Sequence, residues 1–296
     1  METVRAWPEL TVESWRPARD TIHMWTQIIG KIKMVSSPPL NHWWHVTLRV
    51  SPRGLSTGAV PGARGLFDIE FDFTDHLLVI RTSQGRREEF ALEDLSVADF
   101  YARTVGALAH LGVSVDIYAS PNEVDVAIPF AEDTVHSTYE PAHARAFWQQ
   151  LIQAQRVLQQ FRSEFRGKAS PVHFFWCAMD LAVTRFSGRR APAHPGGASH
   201  CPDWVMREGY SHELSSAGFW PGGGEEGAFY SYAYPDPDGF AALEVPDGAF
   251  YSDQYGEFLL PYETVRHSEM PDQLVLDFLR ASYSGAAELA HWNVIP

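Results

Sequence analysis

The chain has 296 residues, 45% hydrophobic and 13% aromatic, which suits a folded protein with one large core and not a disordered chain. A formal net charge of −14 leaves no basic face for phosphate contacts and argues against a nucleic-acid binder. No apolar run reaches the about 18 residues of a membrane span, Met1–Trp15 lacks a basic stretch followed by an apolar one, and two cysteines, Cys177 and Cys201, are too few for a disulfide framework. We therefore expect a cytoplasmic protein with no membrane partner and both thiols free.

In chain order, Ile22, Trp25, Ile28 and Ile29 recur at helical spacing and predict a helix from Asp20 to about Ile29, stopped by Gly30. His42–Val50, rich in Trp, Val and Thr, reads as a strand. Leu66–Phe73 alternates, with Phe67, Ile69, Phe71 and Phe73 on one face and Asp68, Glu70 and Asp72 on the other. Turns at Thr74–His76 and Gln84-Gly85 lead into Leu77–Thr82 and Arg87–Leu92, an antiparallel meander. Ser96, three residues before Asp99, is a helix N-cap, with Val97, Phe100, Tyr101, Val105 and Leu108 on the buried face. Val113–Tyr118 reads as a strand. Phe147, Leu151, Ala154, Leu158, Phe161 and Phe165 then mark a long helix over His143–Arg166. His173–Phe186 reads as one continuous strand, and Pro271 opens a last helix over Asp272–Ala290.

A faint repeat links the halves: Gly30-Lys31 with Gly167-Lys168, His42-Trp43-Trp44 with His173-Phe174-Phe175, and Glu89–Leu92 with Glu257–Leu260. We expect an α+β fold, an antiparallel sheet built from two duplicated helix–four-strand–helix units with the helices packed on it. It would form one compact domain over residues 1–296, with pseudo-repeats at 18–118 and 143–292. The second unit is longer, and its extra residues are the Arg-, His- and Gly-rich stretch after Phe186. An insert in one copy of a duplicated scaffold is where function is expected.

That stretch and its flanks hold the candidate chemistry. On period two Asp180 is flanked by apolar and aromatic residues, so it needs either an arginine partner or a raised pKa. Arg185 and Arg189 are the nearest cations and form a candidate anion clamp. His212 and Glu213, in the run Arg207–Glu213, suit acid–base work. The expected site has Asp180, His212 and Glu213 as catalytic groups and Arg185, Arg189, Trp176, Trp220, Tyr210 and His173 binding substrate. Asp180, Arg185, Arg189 and His212 would converge on a pocket walled by Trp176 and Trp220. His42 and His45 would point to opposite faces of a strand and not chelate together. No HExxH, Cys-x-x-Cys, GxGxxG or Walker pattern occurs, so no cofactor and no metal site is expected.

Three segments, GKASPVHFFWCAMDLAVTRFSGRRAP from Gly167, YSHELSSAGFW from Tyr210 and EFLLPY from Glu257, resemble a bacterial family of about this length catalogued as a domain of unknown function. The resemblance runs from Trp25 and Gly30-Lys31-Ile32 to Trp292. It implies a shared fold and carries no activity, cofactor or catalytic residue. Cys177 stands where the family's strand is expected to hold a smaller residue such as Gly. The function expected from the residues is an enzyme acting on a small polar, anionic molecule. The alternative is a non-catalytic module that binds a small molecule or another protein. The sequence does not specify the oligomeric state.

Overall fold

The structure is a computed structural model that describes residues 7–292. The chain enters through helix α1 (Val12–Ser36), which buries Trp15, Ile22, Trp25, Ile28, Ile29 and Ile32. The expected stop at Gly30 does not occur. Gly30 and Lys31 lie inside the helix, because the apolar face continues to Ile32 and packing outweighs the weak helix propensity of one glycine.

His42–Val50 is not a strand. Asn41–Trp43 is a 3-10 turn, and His42 and Trp43 both have left-handed backbones, φ 57° and 60°. Pairing starts only at β1 (Arg49–Val50) and continues through β2 (Gly54–Ser56), β3 (Val60–Gly62), β4 (Gly65–Asp72), β5 (Leu77–Thr82) and β6 (Arg87–Ala91). The order is β1-β2-β4-β5-β6, with β3 sharing an edge of β4. The even alternation of β4 holds. Phe67, Ile69 and Phe71 enter the core, while Asp68 and Glu70 pair with Arg81 at 2.8 and 2.7 Å and Asp72 pairs with Arg53.

Helix α2 (Val97–His110) starts at the expected cap, Ser96 Oγ accepting from the Asp99 amide at 3.0 Å. Its Phe100 stacks on Trp25 of α1 at 4.7 Å. Residues 113–118 are extended, and Val113, Val115 and Ile117 lean on the core, but no strand lies beside them. The expected strand does not form: burial alternates with period two there, but a ladder also needs a neighbour.

After α3 (Pro141–Ser163) the second sheet forms from β7 (His173–Phe175), β8 (Asp180–Arg190), β9 (His212–Trp220), β10 (Ala228–Tyr234), β11 (Phe250–Ser252) and β12 (Glu257–Pro261), in the order β11-β12-β10-β9-β8-β7. The expected single strand over 173–186 is a hairpin. The chain reverses at residues 176–179, with Met179 left-handed at φ 58°. Short helix α4 (Asp203–Gly209) lies between β8 and β9, and α5 (Tyr262–His267) and α6 (Pro271–Leu289) close the chain. Leu48 and Phe174 exchange backbone hydrogen bonds of 2.9 and 2.8 Å, bridging the two sheets. One cluster of buried side chains draws on both sheets and on α1, α2, α3 and α6.

The fold is thus α+β, with helices packed on antiparallel sheets. The anchor of the proposed duplication is lost, since His173 opens a strand and His42 does not.

Candidate functional site

The four residues expected to converge are spread along β8 and β9. Asp180 opens β8, whereas His212 pairs with Arg190 at the far end. Ten residues of strand put them on the order of 30 Å apart, far beyond proton transfer.

Strand parity separates the others. Leu181, Val183 and Arg185 turn toward the helices; Asp180, Ala182 and Thr184 turn away. Arg185 is buried with its guanidinium 3.5 Å from the centre of the Phe161 ring and 4.2 Å from that of Tyr283. Its Nη2 donates to the Phe161 carbonyl in the last turn of α3, where a cation complements the helix dipole. Burial lowers its pKa to about 10. Arg189 donates to Glu213 at 2.8 Å and to the Ala290 carbonyl at 2.6 Å, tying β8 and β9 to the end of α6. Arg185 and Arg189 therefore serve helix ends and do not pair with Asp180. Glu213 accepts from Arg189 and Ser187. His212 lies 5.7 Å, ring to ring, from His42. His173 is buried at the seam between the sheets, its Nδ1 3.2 Å from Thr47 Oγ1. Burial, with help from Lys33 and Arg49, holds its pKa down to about 3.

The face of the second sheet turned away from α3 and α6 gathers a different set. Register places Tyr230, Tyr232 and Tyr234 of β10 opposite Gly218, Ser216 and Leu214 of β9, which in turn face Ala182, Thr184 and Phe186 of β8. Asp180 lies on this face, 9% exposed, and accepts a hydrogen bond from the Tyr230 hydroxyl. A Cβ on Gly218 would sit 2.4 Å from that hydroxyl, so the small residue makes room for it. Tyr210, which follows α4, meets Tyr232 hydroxyl to hydroxyl at 2.9 Å. Trp220 closes β9 level with Asp180, one position beyond the Leu181–Phe219 pair. Of the expected residues, then, Asp180, Tyr210 and Trp220 do share a face.

No cation neutralises Asp180 among the described residues. Burial pushes its carboxyl up to about 7, with the charge of Glu123 adding to the effect and the Tyr230 hydrogen bond opposing it. Glu257, at the start of β12, is pushed up to about 7 by burial and then by Asp180. Glu123 reaches solvent on one side. Its other side is packed closely enough for desolvation to raise its carboxyl, and it bonds to the Cys177 thiol, which burial raises well above its usual range. Both cysteines are free thiols. Of the expected alternatives for Asp180, an arginine partner or a raised pKa, the second holds.

Two loops roof this face. Glu123 donates its amide to the Ser199 carbonyl at 2.8 Å, and the Asn122 side chain donates to the His200 carbonyl. His194 packs on Tyr210 and Tyr234 at 4.6 and 5.3 Å. Glu123 and His200 are left-handed, φ 56° and 52°. Met179, next to Asp180, is left-handed as well, φ 58°. Trp176 is not a wall. Its Nε1 donates to the Val46 carbonyl at 2.8 Å, and the indole lies against Gly30, where a Cβ would approach within 2.2 Å.

The sequence carries a signal for this face. Tyr230-Ser231-Tyr232-Ala233-Tyr234 repeats tyrosine at the period of a strand, so three rings must share one side. Glu257 and Glu123, distant in the chain, left no such mark.

Two open hollows of about 320 and 360 Å³ lie elsewhere, the first beside residues 113–116 and the second along α6 at Tyr283 and His291. Neither contains the raised carboxyls of Asp180, Glu257 and Glu123. Among the described residues no three His, Cys, Asp or Glu side chains are arranged to hold a metal ion. No described helix is long and apolar enough to cross a membrane.

The chain belongs to the family of unknown function DUF5996, whose model matches residues 7–295. No curated protein and no solved structure matches it.

Proposed function

We propose, for this member of the DUF5996 family, that the tyrosine–carboxyl face is a general acid–base site acting on a small polar molecule. One observation carries the reading: Asp180 and Glu257 both have carboxyls pushed up to about 7, chiefly by burial, with the charge of Asp180 adding to the shift of Glu257. Two carboxyls with pKa values near 7 are each about half protonated near neutral pH. Near neutral pH the pair holds one proton to give and one vacancy to receive it, the condition under which proton transfer is most efficient. Tyr230 holds the Asp180 carboxyl in place, and Tyr210 and Tyr232 offer further hydroxyls to a polar substrate. Because Arg185 and Arg189 serve helix ends, the expected preference for an anion loses its support, and we infer a neutral or cationic substrate.

The test is to incubate the protein with a mixture of small polar metabolites and follow each component by mass spectrometry. Wild type should consume at least one component, and Asp180→Asn should lower that rate by about 10²–10⁴-fold, the usual contribution of a general acid or base. Consumption unchanged in Asp180→Asn would overturn the reading. Binding without consumption would favour the non-catalytic module.

A further inference from the structure

We propose that the extended segment at residues 113–118 is a docking edge that takes up a short peptide of alternating apolar and basic residues as an added β-strand. The segment has the side-chain pattern of a strand and lacks its ladder. Val113, Val115 and Ile117 pack on the core, while Ser114, Asp116 and Tyr118 are exposed. Among the described residues, no protein group bonds to the amides of residues 114–118 or to the carbonyls of residues 113–117. Backbone polar groups in folded chains pair with protein or with water. Here a run of them is left to water on a segment already shaped for pairing.

The surroundings leave room for a partner. The open hollow of about 320 Å³ is lined by residues 113–116 on one side and by residues 61–63, at the end of β3, on the other. Consecutive residues of an extended chain point to opposite faces. A hollow that touches all of them therefore runs along the backbone edge and not over one face. Val35 of α1 and Phe67 of β4 line it too and make it receptive to aliphatic side chains. Exposed edges are ordinarily blunted by proline, lysine, several charges or a bulge. Pro61 blunts β3, having no N–H to offer. Arg87, Glu88 and Glu89 blunt the edge of β6. Residues 113–118 contain no proline and no lysine, and their one charge, Asp116, has no ion-pair partner among the described residues.

The pattern of the segment dictates the chemistry of its partner. Directly opposed residues of paired strands share a face. Partner residues opposite Val113, Val115 and Ile117 must be apolar to follow them onto the core, and those opposite Ser114 and Asp116 face solvent. Asp116 is the one charged residue that lines the hollow, on a protein of net charge −14. A basic side chain opposite it is attracted and an acidic one repelled. The same charges oppose a second copy of this chain, which would bring its own Asp116 and its own net charge of −14 to the edge. In strand addition of this kind, main-chain hydrogen bonds supply affinity and alternate side chains supply specificity.

The experiment titrates full-length wild type with fluorescein-Val-Lys-Val-Lys-Val-amide, which reads the same in either strand direction, and maps amide exchange with and without it. The peptide should bind and slow exchange of the amides of residues 114–118. Its Val-Glu counterpart should bind at least about tenfold more weakly at low salt. A copy methylated on its backbone nitrogens keeps the charge but cannot pair, and should also bind at least about tenfold more weakly. Asp116→Asn, an exposed change that leaves the core alone, should weaken binding by about two- to fivefold. Absence of protection at residues 114–118 would overturn the proposal. So would equal binding by the methylated copy, which would reduce the contact to attraction between a cation and an acidic protein. Protection of the same amides that appears without peptide and grows with protein concentration would make the occupant a second copy, and would overturn it as well. Asp180→Asn should bind the peptide as wild type does, so the result stands apart from the acid–base reading.

Discussion

Asp180 carries its burden in the ionised form. Its folded pKa of about 7 lies above the 3.8 of a free carboxyl, so the fold prefers the neutral acid. Its contribution is fully favourable below about pH 4 and is lost as pH rises through about 7. Asparagine at this position stays neutral and can still accept from Tyr230. Asp180→Asn should therefore match wild type at pH 4 and be more stable by about 1–3 kcal/mol at pH 8, in urea titrations at the two pH values. A variant equally or less stable at pH 8 would contradict the burial argument. Arg185 gives the opposite kind of test. Arg185→Leu removes a helix-end hydrogen bond and a ring contact, and should cost about 2–4 kcal/mol in the same titration. It should leave turnover at the carboxyl face unchanged, because strand parity points the two side chains to opposite faces of β8.

At the scale of elements, α1 and the β7–β8 hairpin depend on each other through Gly30. In an isolated helix Gly→Ala stabilises by about 1 kcal/mol. Here the added methyl would meet the Trp176 indole at 2.2 Å, and that ring is held by its bond to Val46. Gly30→Ala should therefore destabilise, by about 1–3 kcal/mol, as read from the denaturation midpoint and from a shifted tryptophan emission. A stabilised variant would mean that Trp176 moves freely. A second junction lies where the turn at His42 and Trp43 meets α4. The His42 amide donates to Glu208 at 2.9 Å, His42 Nδ1 contacts the Gly209 carbonyl at 2.8 Å, and Lys168 lies 3.2 Å from Nε2. Burial chiefly lowers the His42 pKa, and Lys168 and His212 act in the same direction. The neutral ring is preferred, so this contact holds above the free value of 6.5 and weakens as pH falls below it. Protection of the amides of residues 203–209, relative to their intrinsic exchange rate at each pH, should fall between pH 6.5 and 5 in wild type and stay constant in His42→Asn.

For the whole molecule, the Leu48–Phe174 bridge and the shared core join the two sheets into one packing unit. Calorimetry should show a single transition whose calorimetric and van't Hoff enthalpies agree. Two resolved transitions would show that the halves unfold separately and that the bridge couples them weakly. The site depends on this scale. Its carboxyls come from β8, from β12 and from the loop after α2, and only the closed sheet with its roof brings them near one another.

Local physics, which the sequence states directly, determined the meander of β4, β5 and β6, the Ser96 cap, the apolar stripe of α3, the α+β class and the unusual status of Asp180. Alternation, capping and helical spacing act between residues close in the chain, so they can be read without knowing the rest. Tertiary structure alone decided the remainder. Residues 42–47 have strand-like composition, but His42 and Trp43 turn left-handed and Glu208 and Gly209 hold His42 there. Residues 113–118 alternate but meet no neighbouring strand. The reversal at Met179 changed which residues share a face with Asp180, and so replaced an arginine clamp with Tyr230, Glu257 and Glu123. Each of these outcomes rests on contacts between residues far apart in sequence. The desolvation and charge coupling that set the chemistry of the site exist only once those contacts have formed.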